Sequence, residues 1–250
     1  MIKIETKQKA PTIALITIIH DKYGSLIIPL KKVIHRIEEY YPSRYVAVSD
    51  ETCPDIIELL GKHGFGIFVI EKNGAANARR KLVQIMSNYE YDFYHYCDLD
   101  RFVTWMLDHS SELPSIQKDI INYHYLVIGR TEVAFQSHPI SWQETEKITN
   151  HMFSLEVGSE MDITAGSCSM SREALLEIAV QSSAKMTDGE WPLIARNKFG
   201  KENIGYYKVD GLKYLEHNKA NMKDEVEEWC TRVRLSHIIC QSIMDLRRDS

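Results

Sequence analysis

Apolar runs and helical periodicities alternate along the first hundred residues. After a polar lead-in, residues 13–19 form a near-continuous apolar run, the pattern of a strand covered on both faces. The run stops at His20-Asp21-Lys22-Tyr23-Gly24. Ser25 then predicts the N-cap of a helix reaching about Tyr41, with Leu26, Leu30, Val33, Ile34 and Ile37 on one face, and Pro42-Ser43 ends it. A second short strand is predicted over 45–48, closed by Ser49-Asp50. Pro54 suits the first turn of a helix that continues to about His63, and Gly64 punctuates. A third strand over 67–70 leads through the turn Lys72-Asn73-Gly74 into a helix from Ala75 to about Asn88. Residues 92–97 are aromatic-rich, as a packed, pleated surface prefers, and predict a fourth strand.

Four strands alternating with three helices in under a hundred residues imply a parallel sheet with right-handed crossovers. The loops after the four strands then share one rim, where open α/β sheets bind ligands. That rim collects His20-Asp21, Asp50, Asn73-Gly74, and the acids Asp98 and Asp100. About one D-x-D triplet arises by chance in a chain of ordinary composition. Its position at the end of an apolar strand is what raises this one. Two carboxylates there suit a divalent cation, which leaves its other positions to water and phosphate oxygens.

The second half is less regular. Residues 112–123 look helical, 125–129 form an apolar strand, and 130–142 read as a polar connection before a helix over 143–157. Residues 162–170 are small, alternating and strand-like. Ser171 predicts the cap of a helix from 172 to about 180, and Thr187-Asp188-Gly189-Glu190-Trp191-Pro192 opens another. Residues 206–209 and 214–215 look like edge strands. A long helix over 222–246 is expected to place Met222, Val226, Trp229, Val233, Cys240 and Ile243 on one packing stripe; a membrane-surface role or a homodimer through it is the minority reading. With no repeat and no low-complexity linker, the 250 residues read as one domain.

Composition narrows the class. With 44% hydrophobic and 26% charged residues the chain has an ordinary globular balance. A net charge of -5 speaks against nucleic acid, which calls for a basic face. No apolar run is long enough to span a membrane, and the N-terminal residues lack a signal peptide's layout. Five cysteines without a C-x-x-C pair suggest reduced thiols in the cytoplasm rather than zinc.

The ordered set of motifs resembles the GT-A fold glycosyltransferases, which use nucleotide-diphosphate sugars. The matching pieces are 13–21, Val46-Ala-Val-Ser-Asp50, Asn73-Gly-Ala-Ala-Asn-Ala-Arg-Arg80, Cys97-Asp-Leu-Asp100, Gly166 with Ser171-Arg-Glu-Ala-Leu175, and Thr187-Asp-Gly-Glu-Trp191, covering about 11–217. The chain departs from the family at Arg101, where many relatives carry a small residue or a third acid, and at Asp50-Glu-Thr-Cys, which lacks the Gly-Ser of the commonest inverting branch.

The resemblance implies an α/β fold: an open, mostly parallel sheet flanked by helices, with a long C-terminal helix added. It implies a metal-dependent transferase moving a sugar from a nucleotide-diphosphate donor to an unidentified acceptor. In its terms Asp98 and Asp100 hold Mn²⁺ or Mg²⁺, joined by His217. Asp50 meets the donor base or ribose, and His20 and Asp21 floor the base. Asn73, Gly74 and Arg79 line base and pyrophosphate, with Arg80 as the neighbour that turns away. Asp188 or Glu190 supplies the general base, with Asp188 preferred; helix capping is the structural alternative for the acids, and a core position for Trp191. A sugar-phosphate nucleotidyltransferase would need a Gly-rich, Arg-containing loop after the first strand, and 20–25 has one Gly and no Arg. A non-catalytic nucleotide-sugar binding protein is the other rival; a dinucleotide-binding reading lacks its G-x-G-x-x-G.

Overall fold

The computed structural model describes residues 10–215, 218 and 224–248; the lead-in before residue 10, His217 and Met222 lie outside them. The first half follows the alternation of its sequence: β1 (Ile13–Ile19), α1 (Ile27–Tyr40), β2 (Arg44–Ser49), α2 (Pro54–Lys62), β3 (Gly66–Ile70), α3 (Gly74–Met86) and β4 (Phe93–Cys97). Then come α4 (Leu99–Asp108), α5 (Leu113–Ile120), β5 (Tyr125–Arg130), α6 (Glu132–Gln136), α7 (Ile140–Val157), β6 (Ser167–Ser171), α8 (Arg172–Gln181), α9 (Glu190–Phe199), β7 (Ile204–Val209) and α10 (Glu225–Arg248). The strands form one sheet in the order β3-β2-β1-β4-β6-β5-β7. Only β6 runs antiparallel to its neighbours, so the C-terminal ends of β1 to β4 share a rim as expected.

Alternation along β1 feeds two cores. Leu15 packs with α1, α2, α4 and α5 on one face, while Ala14 and Ile16 pack with α3, α7, α8, α9 and α10 on the other. Covered on both sides, β1 and β4 carry almost no solvated position, which is why their sequences are mostly apolar or aromatic, with Thr17 and His95 as buried polar exceptions.

Several local expectations change. The turn into α1 is held by Asp21, whose Oδ2 accepts the Leu26 N–H at 2.8 Å; Ser25 does not cap. Residues 99–108 form a helix that the sequence reading left unassigned, although Leu99, Phe102, Val103 and Met106 are buried at helical spacing. The polar connection after β5 contains α6, capped by Thr131. Residues 162–166 are not strand. Asp162 there accepts hydrogen bonds from the Arg130 backbone, Nε and Nη2 and from Asn150, and those bonds fix an irregular loop. Residues 214–215 pair with no strand among the described residues. Ser171 does cap α8, accepting from Ala174 N at 3.2 Å.

The stripe expected on α10 is kept only in part. Ile243 is buried in the core, but Val226 and Val233 are exposed, whereas Arg232, Leu235, Ser236 and Ile239 face inward. Hydrophobic periodicity misreads a helix whose inner face lines a polar cavity.

Two histidines are buried without a proton to spare. Burial holds His95, on β4, down to about 3; Tyr41 Oη lies 2.5 Å from its Nδ1 and Ser167 Oγ 3.3 Å from its Nε2. Burial, reinforced by Arg130 and Arg101, does the same to His138. In the unfolded chain both take up protons near pH 6.5 while the folded chain does not. Stability is therefore fully present above that pH and falls as pH drops toward 3, by about 2 kcal/mol per histidine between about pH 7 and about pH 5. Urea unfolding at those two pH values checks this; equal stabilities contradict it.

Candidate active site

β4 delivers Asp98 to the rim and α4 begins at once. Asp98 occupies the N-cap position with extended backbone (φ -57°, ψ 134°), yet its side chain makes no capping bond. Its Oδ2 instead accepts from Arg79 Nη2 at 2.8 Å, and its Oδ1 accepts from the Tyr96 hydroxyl. Gly166 makes room for this arrangement: it sits at φ +77°, and a Cβ there would lie 2.9 Å from Asp98 Oδ2. Asp100, in the first turn of α4, accepts from Asn218 Nδ2 at 2.8 Å.

Arg79 is 7% exposed. Its Nε donates to Tyr96 Oη at 2.9 Å, and its Nη1 donates to Thr187 Oγ1 at 3.2 Å and Asp188 Oδ2 at 3.0 Å. Burial alone would lower its pKa, but the carboxylates of Asp98 and Asp188, with the Tyr96 hydroxyl beside them, hold the guanidinium well above its ordinary value. One planar fork thus ties the end of β4 to the entrance of α9.

Two cavities open from this centre. The first, of about 430 Å³, is lined by His20, Asp21, Asn73, Gly74, Asp98 and Asp100, with Lys72 and Asn218. Gly74 starts α3 at φ +78°, and a Cβ there would meet nothing within 4 Å, so the glycine serves the turn and faces open space. His20 Nδ1 is 2.7 Å from Ser49 Oγ. The second cavity, of about 410 Å³, is lined by Arg79, Arg101, Trp142, Glu146, Asp188 and Arg232, and again by Asp98 and Asp100. α10 supplies part of its wall. A larger cavity of about 540 Å³, near Arg130 and His151, contains neither acid of the pair; the other two share Asp98 and Asp100 and form the candidate site.

Not every candidate converges here. Asp50 does not line the first cavity; its Oδ1 accepts the Lys72 N–H at 3.0 Å, so it braces the loop that does. Glu190 is 2% exposed and turned away. It accepts from Ser183 N at 2.5 Å, Ala184 N at 2.6 Å and Ser182 Oγ at 2.5 Å, clamping the turn before the Asp188 loop. Asp188 is no helix cap either, since Gly189 takes that position. Arg80 donates to Ala184 O, and Trp191 is core, edge-on to Tyr96. Sequence reasoning missed Tyr96, Asn218, Trp142, Glu146 and Arg232. Their partners lie up to 118 positions away, as for Asn218 and Asp100, and no local pattern marks them.

A comparison with known proteins finds no matching family model and no matching curated protein. Solved structures do match by shape. Glucosyl-3-phosphoglycerate synthase from Mycobacterium tuberculosis, in complex with UDP, matches with TM-score 0.57 at 13% identity, over 94% of this chain and 80% of that one. The same synthase with Mn²⁺, UDP-glucose and phosphoglyceric acid gives 0.58 at 12% identity, over 95% and 80%. A structure described as a mycobacterial protein gives 0.56 at 14% identity, over 93% and 75%. The fold is GT-A-like.

Within that GT-A-like fold the donor set suits a hard divalent cation. Asp98 and Asp100 offer carboxylate oxygens with side chains 22% and 37% exposed, and such oxygens suit Mg²⁺ or Mn²⁺. A different cluster, His109, Glu112 and Asp210, also brings ligand atoms within 4.8 Å of one another. Glu112 there accepts the N–H groups of Asp210 and Gly211, so its carboxylate holds the turn after β7.

Proposed function

We propose that the chain is a metal-dependent glycosyltransferase, taking a nucleoside-diphosphate sugar in the first cavity and an acceptor in the second. The observation that carries this reading is the sharing of Asp98 and Asp100 by both cavities. A sugar leaving its diphosphate must cross the boundary between the two, and the acids stand on that boundary. The Mn²⁺ and UDP-glucose held by similarly folded synthases support a uridine nucleotide as the first donor to test.

The chain's residues divide the work. Asp98 and Asp100 hold the cation, which when bound neutralises charge developing on the departing diphosphate. His20 and Asp21 floor the nucleoside end, and the Lys72–Gly74 loop, braced by Asp50, closes over it. Tyr96, Asn218 and Arg79 fix the two acids so that no rotamer search accompanies binding. Asp188 faces the acceptor cavity and is our choice for the group that takes the acceptor hydroxyl proton; Glu190, fully engaged by its turn, is not. The five free cysteines support a reducing, cytoplasmic setting. No helix of the described residues is long and apolar enough to cross a membrane. A homodimer through α10 would have to use its outward residues, of which Val226 and Val233 are the exposed apolar pair.

Incubation with UDP-sugars and Mn²⁺ tests the reading: slow release of UDP that stops with chelator is expected. Binding without any release would leave a nucleotide-sugar binding protein instead. For the base, Asp188→Asn is expected to lower transfer about 10²–10⁴-fold while the dissociation constant for UDP with Mn²⁺ stays put. Unchanged transfer removes Asp188 from that role.

A further inference from the structure

The outward side of α10 carries an ordered apolar stripe. Val226 is 73% exposed and Val233 56% exposed; Cys230 between them and His237 beyond are exposed as well. The steps from 226 to 230, 233 and 237 alternate between four and three residues, the seam spacing of two helices that wind about each other. α7 runs alongside in the same direction: Ser141 meets Glu228, Thr149 meets Ser236 at 2.7 Å, and Glu156 meets Arg247 at 3.2 Å. Ile148, next in sequence to Thr149, is 64% exposed and extends the apolar surface onto α7. Single exposed apolar residues are ordinary, whereas a stripe continued on the neighbouring helix marks a face that something covers.

Charge along the helix decides what covers it. Asp224, Glu225 and Glu227 are exposed at its start, and Arg234 and Arg247 are exposed farther on, with Asp245 among them. The acidic start is repelled by an anionic lipid surface. A second copy laid antiparallel sets each acidic start against the other's more basic half, whereas a parallel copy sets like charge against like. Glu227 and Arg234 each follow a seam valine by one residue, a flank position whose charges fix partner and orientation in paired helices.

We infer that a second copy of this chain covers α10, the two helices lying antiparallel about a two-fold axis. Val226, Cys230, Val233 and His237 form the seam, and Glu227 pairs with the partner's Arg234, twice by symmetry. The inner face of the same helix lines the second cavity with Arg232, Leu235, Ser236 and Ile239, so the partner braces that wall from behind.

Sedimentation equilibrium of the full chain at micromolar concentration and low salt, where charge pairs are least screened, is expected to show two chains per particle. Val233→Glu puts a charge on the seam of both copies and raises the dissociation constant about a hundredfold or more. Its circular dichroism stays that of the wild type, because the side chain is exposed. Arg234→Glu and Glu227→Arg each raise the constant about tenfold, and the two together in one chain bring it back to within about threefold of the wild type. Should V233E lose its fold, the charge variants decide alone. A wild type that stays monomeric overturns the inference, and so does a dimer that V233E leaves intact. Single charge changes without effect, or a double exchange that fails to restore pairing, overturn it as well, since Glu227 and Arg234 then do not meet. Phosphatidylserine vesicles are run alongside: a monomeric chain that sediments with them turns α10 toward a membrane, and the inference falls.

Discussion

Replacing Arg79 with Met is expected to cost about 3–5 kcal/mol of stability, the usual penalty for breaking a buried ion pair by removing one partner. In a chain of this size that is a fall of about 10 °C in melting temperature. Asp98 and Asp188 both lose their cation in this variant, and Tyr96 and Thr187 lose a donor. Arg79→Lys keeps a charge but not the planar fork, so it cannot span the same four oxygens and recovers only part of the loss. Denaturant unfolding of the three proteins decides the matter. If R79M keeps its stability and loses nucleotide affinity alone, Arg79 is a phosphate ligand and the bridge described above is wrong.

Asp100→Ala is expected to have the largest effect on activity. Transfer falls about 10³-fold or more, because the charge of the departing diphosphate is left without its counterion. The same substitution erases a stabilisation that the wild type gains from UDP with Mn²⁺. At a ligand concentration about a hundred times the dissociation constant that gain is about 2.7 kcal/mol. The fold stays intact, since Asp100 sits at the rim in the first turn of α4 and contributes nothing to either core. A metal-dependent gain that persists in D100A moves the cation elsewhere, with His109, Glu112 and Asp210 the next place to look.

The half of the molecule that makes the rim was legible because its physics is local. Residues 13–19 are near-continuously apolar and 93–97 aromatic-rich because both faces of a central strand are covered, and the loops between them carry the polar residues that solvent and ligand require. Hence His20, Asp21, Asn73, Gly74, Asp98 and Asp100 come together around one cavity as the alternation implied. What escaped was set by distant parts of the chain. Arg79 looked like a phosphate ligand from its place on a helix after a glycine turn; its partner Asp188 is 109 positions away. The direction of β6 could not be read from Ser-Cys-Ser-Met-Ser, whose small residues carry no orientation. Asp188 was preferred to Glu190 without either being excluded; the turn at 182–184 engages Glu190 through contacts no local pattern shows. The second cavity was invisible for the same reason: Arg232 and Trp142 meet only after α10 folds back beside α7.

The shared boundary at Asp98 and Asp100 is most directly probed by electron paramagnetic resonance of Mn²⁺ added to the protein with UDP. The free-ion signal is expected to fall as one ion per chain is captured, and the capture should need the nucleotide and be lost when both acids are changed to Ala. Capture of the ion by that double variant, or none by the wild type with UDP present, contradicts the account.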